Sequence, residues 1–222
     1  MTLLTSLAES FSGSAARKAA LEAVLRDGLP GPRTEAWKYT PLRALERRSF
    51  VPPAATAIDP ALLAGIPAPR MVFVNGIRDE SLSDLSGLPA LANVHSTAEA
   101  IASSEPRAAN FLERSYDRAD EPFARLNAAL ANDGVVIRLA EDVRVPDPLH
   151  LVFIGAPADA DTAWHLRNFI ELRRGAELTV VEHHFAAGEH AHLGNALVHV
   201  HLATGATLRH ARIQDEAARA TV

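Results

Sequence analysis

Histidine is the residue type whose pattern most suggests chemistry. Seven of the ten histidines lie in one stretch, at positions 183, 184, 190, 192, 199, 201 and 210. In "EHHFAAGEHAH" an extended backbone would point His190 and His192 to one face. Glu182 or Glu189 could then complete a set of two imidazoles and one carboxylate, a common metal-binding combination. The histidines considered as candidate metal ligands are His183, His184, His190 and His192.

The alternative for this stretch is a polar loop with histidines on a solvated sheet face, and the sequence favours it. The spacing does not match the cupin pattern of His-x-His followed shortly by Glu. Further on, His199 and His201 alternate with apolar residues, which predicts a strand with both imidazoles on its outer surface. Two small basic clusters are interpreted in the same way, as solvated faces. They contain Arg167, Arg173 and Arg174, and Arg43, Arg47 and Arg48.

Motifs for autonomous catalysis are missing from the sequence. It has no Gly-x-Ser-x-Gly elbow, no phosphate-binding loop and no dinucleotide fingerprint after a strand. The carboxylates are scattered, so no acid/base pair and no catalytic residue can be nominated. The absence of cysteine excludes a cysteine nucleophile, a disulfide framework and thiolate metal sites within the chain.

The charge and hydropathy of the chain limit the kinds of partner and the cellular location that we expect. A net charge of −5 without a basic block disfavours binding to nucleic acid or an anionic membrane. No apolar run approaches the roughly 20 residues that a membrane helix needs, and no secretion signal is visible. Together with the lack of cysteine, these features predict a cytoplasmic protein.

The first part of the chain, residues 1–133, is predicted to be a mainly helical domain. A helix is expected over Ala15–Asp27, ending at the Gly/Pro-rich segment 28–32. Thr40-Pro41 and Asp59-Pro60 each have the pattern of an N-cap followed by proline at the first helical position. One short strand is predicted at 70–76, closed by an Asn-Gly turn.

Two further helical signals precede residue 134. Ser96 and Glu99 have the spacing of a capping box at the start of a short helix. Phe123, Leu126 and Leu130 form an apolar stripe that predicts a helix ending at Gly134.

The second part, residues 134–222, is predicted to be all β. Six strand-like runs follow one another, and Gly-Ala corners begin at Gly175 and Gly205, about 30 residues apart. Short strands at a fixed period indicate stacked coils, as in a β-helix. A β-sandwich would produce most of the same runs. The fold class expected is therefore α+β, with a helical part followed by a β-solenoid.

The final residues, "EAARATV", follow directly on a strand without a capping segment. Because solenoids need capped ends, we expect a piece of a longer protein. Leu208, Ala211 and Ile213 of the last strand would then be exposed at an open edge, which favours a homodimer.

The segment "RTEAWKYTPLR", residues 33–43, contains two large aromatic side chains close together in a chain that is poor in aromatic residues. Trp37 and Tyr39 are interpreted as a packing hinge between the first helix and the one opened by Thr40-Pro41. Arg33 and Glu35 are expected to clamp this turn, with Lys38 between the two rings. A direct ligand-binding role for Trp37 is the less favoured alternative.

This segment resembles the N-terminal signature of the SufB/SufD family of SUF iron–sulfur cluster assembly proteins, most of all its SufD type. Later segments resemble the family in the same order, among them "FARLNAALANDGVVIRLAEDVRVPDPLHLVF", "RNFIELRRGAELTVVEHH" and "LVHVHLATGATLRHARIQDEA". The resemblance implies a helical N-terminal domain, a right-handed parallel β-helix and a C-terminal helical domain. Residues 1–133 would be the first of these and residues 134–222 the opening coils of the second; the third is absent here.

The resemblance also implies a function. The chain would be a non-catalytic scaffold subunit that acts with SufB-like and SufC-like proteins, SufC being the ATPase. The chain would hold no cofactor of its own, and the iron–sulfur cluster would be handled by the complex. The alternative from a different class is a small, histidine-rich, cupin-like protein with its own metal-dependent activity.

Overall fold

Helices dominate the beginning and strands the end of the described residues, 1–103 and 109–222 of a computed structural model. The α-helices are α1 (Leu3–Glu9), α2 (Ala15–Asp27), α3 (Arg43–Glu46), α4 (Thr97–Ala102) and α5 (Pro122–Leu130). Short 3₁₀ turns cover Glu35–Trp37, Pro60–Leu63 and Asn110–Glu113. The strands are β1 (Arg70–Val74), β2 (Ile77–Asp84), β3 (Ala92–Ser96), β4 (Val135–Leu139), β5 (Leu149–Gly155), β6 (Thr162–Leu172), β7 (Glu177–Ala186), β8 (His192–Leu202) and β9 (Thr207–Asp215).

The strands form two mixed sheets. Sheet 1 has the order β2-β1-β5-β7-β9, and sheet 2 has the order β3-β4-β6-β8. Only β1–β2 and β3–β4 pair antiparallel; the later pairs are parallel. From β4 onward, consecutive strands therefore alternate between the sheets. The α+β class expected from the sequence is confirmed.

The repeat that the sequence suggested exists in three dimensions. Glu177 of β7 pairs with Thr207 of β9, and Thr162 of β6 pairs with His192 of β8, in both cases 30 positions further along the chain. The corner glycines Gly175 and Gly205 have φ angles of 68° and 73° and lie one above the other. Positive φ is a conformation that glycine adopts at little cost, which explains why both corners begin with this residue.

The main core lies between the two sheets. Alternate residues of β5, β7 and β6, such as Leu151, Val180 and Ile170, meet there and are almost fully buried. The outer face of sheet 2 is covered in part by α1, α2 and α5, whose apolar residues pack around Ala163 and Leu193. Beside that cluster, Phe111 packs on Phe169 of β6. Both faces of sheet 2 are therefore partly covered.

Several local predictions are confirmed. Helix α2 has the predicted bounds, and the capping box at Ser96 and Glu99 is present. The Asp59 side chain accepts a hydrogen bond from the Ala61 amide, although the element that it caps is a 3₁₀ turn. Strand β1 lies within the predicted segment and is followed by the Asn75-Gly76 turn.

Other local predictions were wrong. The helix expected from Thr40-Pro41 begins only at Arg43 and has a single turn, so Thr40 is not its N-cap. The stripe helix ends at Leu130, well before Gly134. Helix α1 and strands β2 and β3 were not predicted. The predicted domain boundary at 133/134 stays a prediction, but β1, β2 and β3 lie before it and are members of the two sheets.

Candidate functional site

The tryptophan of the opening segment connects that segment to α5. Residues Glu35–Trp37 form a 3₁₀ turn. The half-buried Trp37 ring lies with its centroid 5.6 Å from that of Phe123, and its indole N–H donates to the Asp120 carbonyl at 2.8 Å. The packing role is confirmed for Trp37, but its partner is α5 and not the helix after Thr40.

The predicted packing of Tyr39 and the predicted clamp between Arg33 and Glu35 are not found in the structure. Tyr39 is 85% exposed, and the Lys38 ammonium lies 5.2 Å from the centroid of its ring. Arg33 and Glu35 are exposed, and the structure gives no hydrogen bond or ion pair between them. The predicted clamp is therefore absent among the described residues, because both side chains point to water.

Trp37 forms part of the wall of a cavity of about 380 Å³. The cavity extends to the inner faces of the two sheets, with Phe153, Trp164 and Leu166 among its mostly apolar lining. Its polar contributors include Glu216 and Arg212. The cavity thus reaches a group of acidic and histidine side chains between the sheets, which we call the inner cluster: Glu182, His184, His190, His192, His210 and Glu216.

One half of the inner cluster is centred on Glu182. Its carboxylate contacts His184 Nε2 at 3.0 Å and His210 Nε2 at 3.1 Å. Burial opposes ionisation of Glu182, but the hydrogen bond from His184 and the nearby positive charges outweigh it and lower the pKa of this carboxyl. Glu182 is therefore a buried carboxylate whose two oxygens each have a partner within the chain.

The other half consists of His190, His192 and Glu216. His192 is fully buried, and its ring stacks on Trp164 at 4.4 Å. Its Nδ1 lies 3.0 Å from His190 Nε2. Burial and the neighbouring charge of His190 lower the pKa of His192 to about 4, so this imidazole is neutral at neutral pH.

Glu216 faces this neutral histidine across a gap. Its Oε2 lies 3.6 Å from His192 Nε2, and each of these buried atoms lacks a hydrogen-bond partner. Burial raises the pKa of Glu216 above its ordinary value. This half of the inner cluster therefore keeps spare hydrogen-bonding capacity, unlike the half centred on Glu182.

The candidate metal ligands named from the sequence do not form a ligand set among the described residues. Within the described residues, no group of three or more His, Cys, Asp or Glu side chains is positioned to hold a metal ion. Glu182 is engaged with His184 and His210, and Glu189 is exposed. Neighbouring positions on one strand point to opposite faces, so His183 lies on the outer face of sheet 1, while the other three candidates lie in the inner cluster.

The favoured alternative of solvated histidines was also wrong for most of them. His184, His190 and His192 are buried, and only His183 lies on the outer face, where its Nε2 is 2.9 Å from His150 Nδ1. The sequence reasoning missed Glu216 and His210. The 30-residue period could have located His210, because it lies beside Val180 of β7, two residues from Glu182.

Comparison with known proteins assigns this architecture to a family. Residues 153–222 match the family model of the SufBD core domain of the SUF system for FeS cluster assembly. Over 199 residues the chain is 25% identical to an iron-sulfur cluster assembly SufBD family protein of Synechocystis, covering 84% of this chain and 44% of that protein. Over 203 residues it is 30% identical to the iron-sulfur cluster assembly protein SufD of Escherichia coli, covering 88% of this chain and 45% of that protein.

These findings confirm the resemblance seen in the sequence. The chain belongs to the SufB/SufD family of the SUF iron–sulfur assembly system, and the match with the Escherichia coli protein agrees with the SufD type. It spans less than half the length of either relative. No helix among the described residues is long and apolar enough to cross a membrane.

Proposed function

We propose that this chain is a non-catalytic scaffold component of a SUF iron–sulfur assembly complex. The observation that carries the proposal is the match of residues 153–222 to the SufBD core domain, which contains the strands around the inner cluster. The proposed role is to hold a partner in position, with the iron–sulfur cluster as cargo of the complex. The partners proposed are a SufB-like protein and a SufC-like ATPase, and the setting proposed is the cytoplasm.

The proposal includes a parallel β-helix for residues 134–222. Three features support it: consecutive strands alternate between two sheets, strands two apart pair in parallel, and the corners at Gly175 and Gly205 stack. The same pairings disfavour a cupin-like protein, since cupins are antiparallel jelly rolls. The inner cluster also gives no support to that alternative, because among the described residues no three of its side chains are positioned to hold a metal ion.

Co-purification from a heterologous host tests the proposed partners. The tagged chain would be co-expressed with the SufB-like and SufC-like proteins of its own organism, and the complex isolated by affinity and size exclusion. We expect a stable assembly in which ATP hydrolysis depends on the SufC-like subunit and the isolated chain hydrolyses none. Failure of both proteins to co-elute with the chain would contradict the proposal.

Anaerobic reconstitution with iron and sulfide tests the proposed lack of a resident cluster. Iron–sulfur clusters are normally held by thiolates, and this chain has no cysteine. We expect a colourless product without stoichiometric iron or sulfide. A reproducible brown product with matched iron and sulfide would contradict the assignment of the cluster to the partners.

Self-association is a further proposed interaction. Strand β9 lies at the edge of sheet 1, and its Ile213 is 55% exposed, whereas Leu208 packs partly against the core. Because exposed strand edges favour pairing between chains, we expect a concentration-dependent dimer in analytical ultracentrifugation. Ile213→Lys should weaken it, while Leu91→Lys, at an exposed residue in a loop, should not.

A further inference from the structure

Arg167 is buried on the outer face of sheet 2, where the sequence predicted a solvated side chain. It has no exposed surface and is the largest of the fully buried side chains among the described residues. The physical reason is that the 109–116 segment, which includes the turn Asn110–Glu113, covers this part of β6. The guanidinium Nη1 donates to the Tyr116 hydroxyl at 3.1 Å and to His199 Nε2 at 2.7 Å.

The positive charge of Arg167 has no acidic partner in the described part of the chain. No carboxylate there lies within ion-pairing distance, and the buried Nε and Nη2 atoms have no hydrogen-bond acceptor. A buried charge without a counter-charge is costly. Burial accordingly lowers the pKa of Arg167, while contact with Tyr116 acts in the opposite direction.

His199 connects this buried charge to the surface. Its Nε2 accepts from Arg167 and lies 2.8 Å from the Tyr116 hydroxyl, so the neutral ring carries its proton on Nδ1. Burial and the positive charges of Arg167 and Arg114 lower the pKa of His199 to about 4. At neutral pH the ring is therefore an uncharged hydrogen-bond donor.

His199 lines a groove of about 780 Å³. Arg114, Arg138 and Arg173 also line it, and the only carboxylate among its described lining residues is that of Glu171. Glu171 is already shared, at 3.4 Å from Arg138 and 3.1 Å from Arg173. The exposed Arg114 has no carboxylate partner within residues 1–103 and 109–222, so this side of the groove has an uncompensated positive charge.

We propose that this groove binds a small anionic ligand through an oxyanion group, a phosphate or a carboxylate. Arg114 and the Nδ1–H of His199 would make the direct contacts, since a guanidinium fork fits the oxygens of either group. Arg167 contributes its charge from behind these two residues, and Tyr116 fixes the orientation of the imidazole. This binding site is separate from the inner cluster, because Arg167 and His199 point to the opposite face of sheet 2.

Isothermal titration of the 222-residue chain with inorganic phosphate and with citrate, at constant ionic strength, tests the proposal. We expect at least one of the two anions to bind, and preference between them identifies the group as phosphate or carboxylate. Arg114→Ala should weaken binding about tenfold or more, the scale of losing one charge-assisted contact. Arg118→Ala is the matched control, because Arg118 is exposed in the same segment and pairs with Asp120 outside the groove.

Arg118→Ala should change the affinity by less than about twofold, as expected for removal of a distant, screened charge. Both variants alter exposed side chains, so both should fold like the parent, and circular dichroism would verify this. Absence of binding by both anions would overturn the proposal. An equal loss in Arg114→Ala and Arg118→Ala would overturn it too, because it would show attraction to net charge alone.

Discussion

The inner cluster and the outer groove bury ionisable groups in opposite ways. Between the sheets, the buried Glu182 contacts the buried His184 and the more exposed His210, which occupy both of its oxygens. On the outer face of sheet 2, Arg167 is buried with two neutral partners and no acid among the described residues. The first group is compensated by partners within the chain, whereas the second has no compensating acid among residues 1–103 and 109–222.

This difference indicates that the inner cluster contributes to the stability of the chain, whereas the outer groove is open to a ligand. Removing one partner of a compensated buried pair leaves the other charge unpaired and is strongly destabilising. Removing an uncompensated buried charge removes its desolvation penalty and breaks only a few favourable contacts. Measurements of the free energy of unfolding on matched variants therefore test whether the two regions differ in this way.

The largest effect is expected for Glu182→Gln. The amide cannot pair with both His184 and His210 as the carboxylate does, so we expect a loss of roughly 3 kcal/mol in the free energy of unfolding, measured by urea denaturation. Glu177→Gln on the same strand is the control, because Glu177 pairs at the surface with the exposed Arg144. The Glu177→Gln variant should lose less than about 1 kcal/mol in the free energy of unfolding. Equal losses in the two variants would show that the buried carboxylate stabilises the fold no more than a surface carboxylate does.

A smaller effect is expected for Trp37→Ala. The ring is half-buried and contacts Phe123, so we expect a loss of about 2 kcal/mol, below the 3–5 kcal/mol typical of a fully buried large side chain. Tyr39→Ala, at the exposed ring two positions further on, should change stability by less than about 0.5 kcal/mol. A loss under about 0.5 kcal/mol for Trp37→Ala would mean that the ring is free to serve a ligand in the cavity.

The next effect concerns pH. Burial lowers the pKa of His192 to about 4 in the folded chain, against about 6.5 when unfolded. Between these values the unfolded state binds the extra proton, so stability is complete above about pH 6.5 and falls as the pH decreases toward 4. His192→Phe keeps a ring beside Trp164 and should reduce this slope by up to about 1.4 kcal/mol per pH unit.

Chemical denaturation at several pH values between 7 and 4 would measure the slope. Val200→Phe is the control for the introduced ring, because Val200 is exposed on the same strand and carries no titratable group, and it should leave the slope unchanged. An unchanged slope in His192→Phe would show that His192 is protonated inside the fold. The inner cluster would then contain a buried cation at His192, and its contrast with the outer groove would be lost.

The smallest effect is expected for Arg167→Met. Methionine fills much of the same volume without charge. The hydrogen bond between the Tyr116 hydroxyl and His199 Nε2, 2.8 Å long in the parent chain, can remain. We expect stability within about 1 kcal/mol of the parent, or above it, together with weaker phosphate or citrate binding. A loss near that of Glu182→Gln would show that the chain itself compensates the guanidinium.

Much of the secondary structure followed from local signals. The capping box at Ser96 and Glu99 and the Asn75-Gly76 turn depend on contacts within a few residues, which sequence spacing specifies. The strand runs after residue 134 and their 30-residue period were also visible, since both are properties of the linear pattern. Strands β2 and β3 were missed because their burial is mixed and their stability comes from pairing with β1 and β4.

The family, the fold class and the positions where chemistry is possible could be inferred from the sequence alone. It could show that Arg167 and Leu166 face opposite ways, because side chains alternate along a strand. It could not show which face would be covered, since that depends on segments distant in the chain, such as the residues from Asn110 to Tyr116 that lie over β6. The burial of Glu182 beside two histidines, and of Arg167 without an acid among the described residues, followed from the fold, because burial is a property of the packed chain and not of its local pattern.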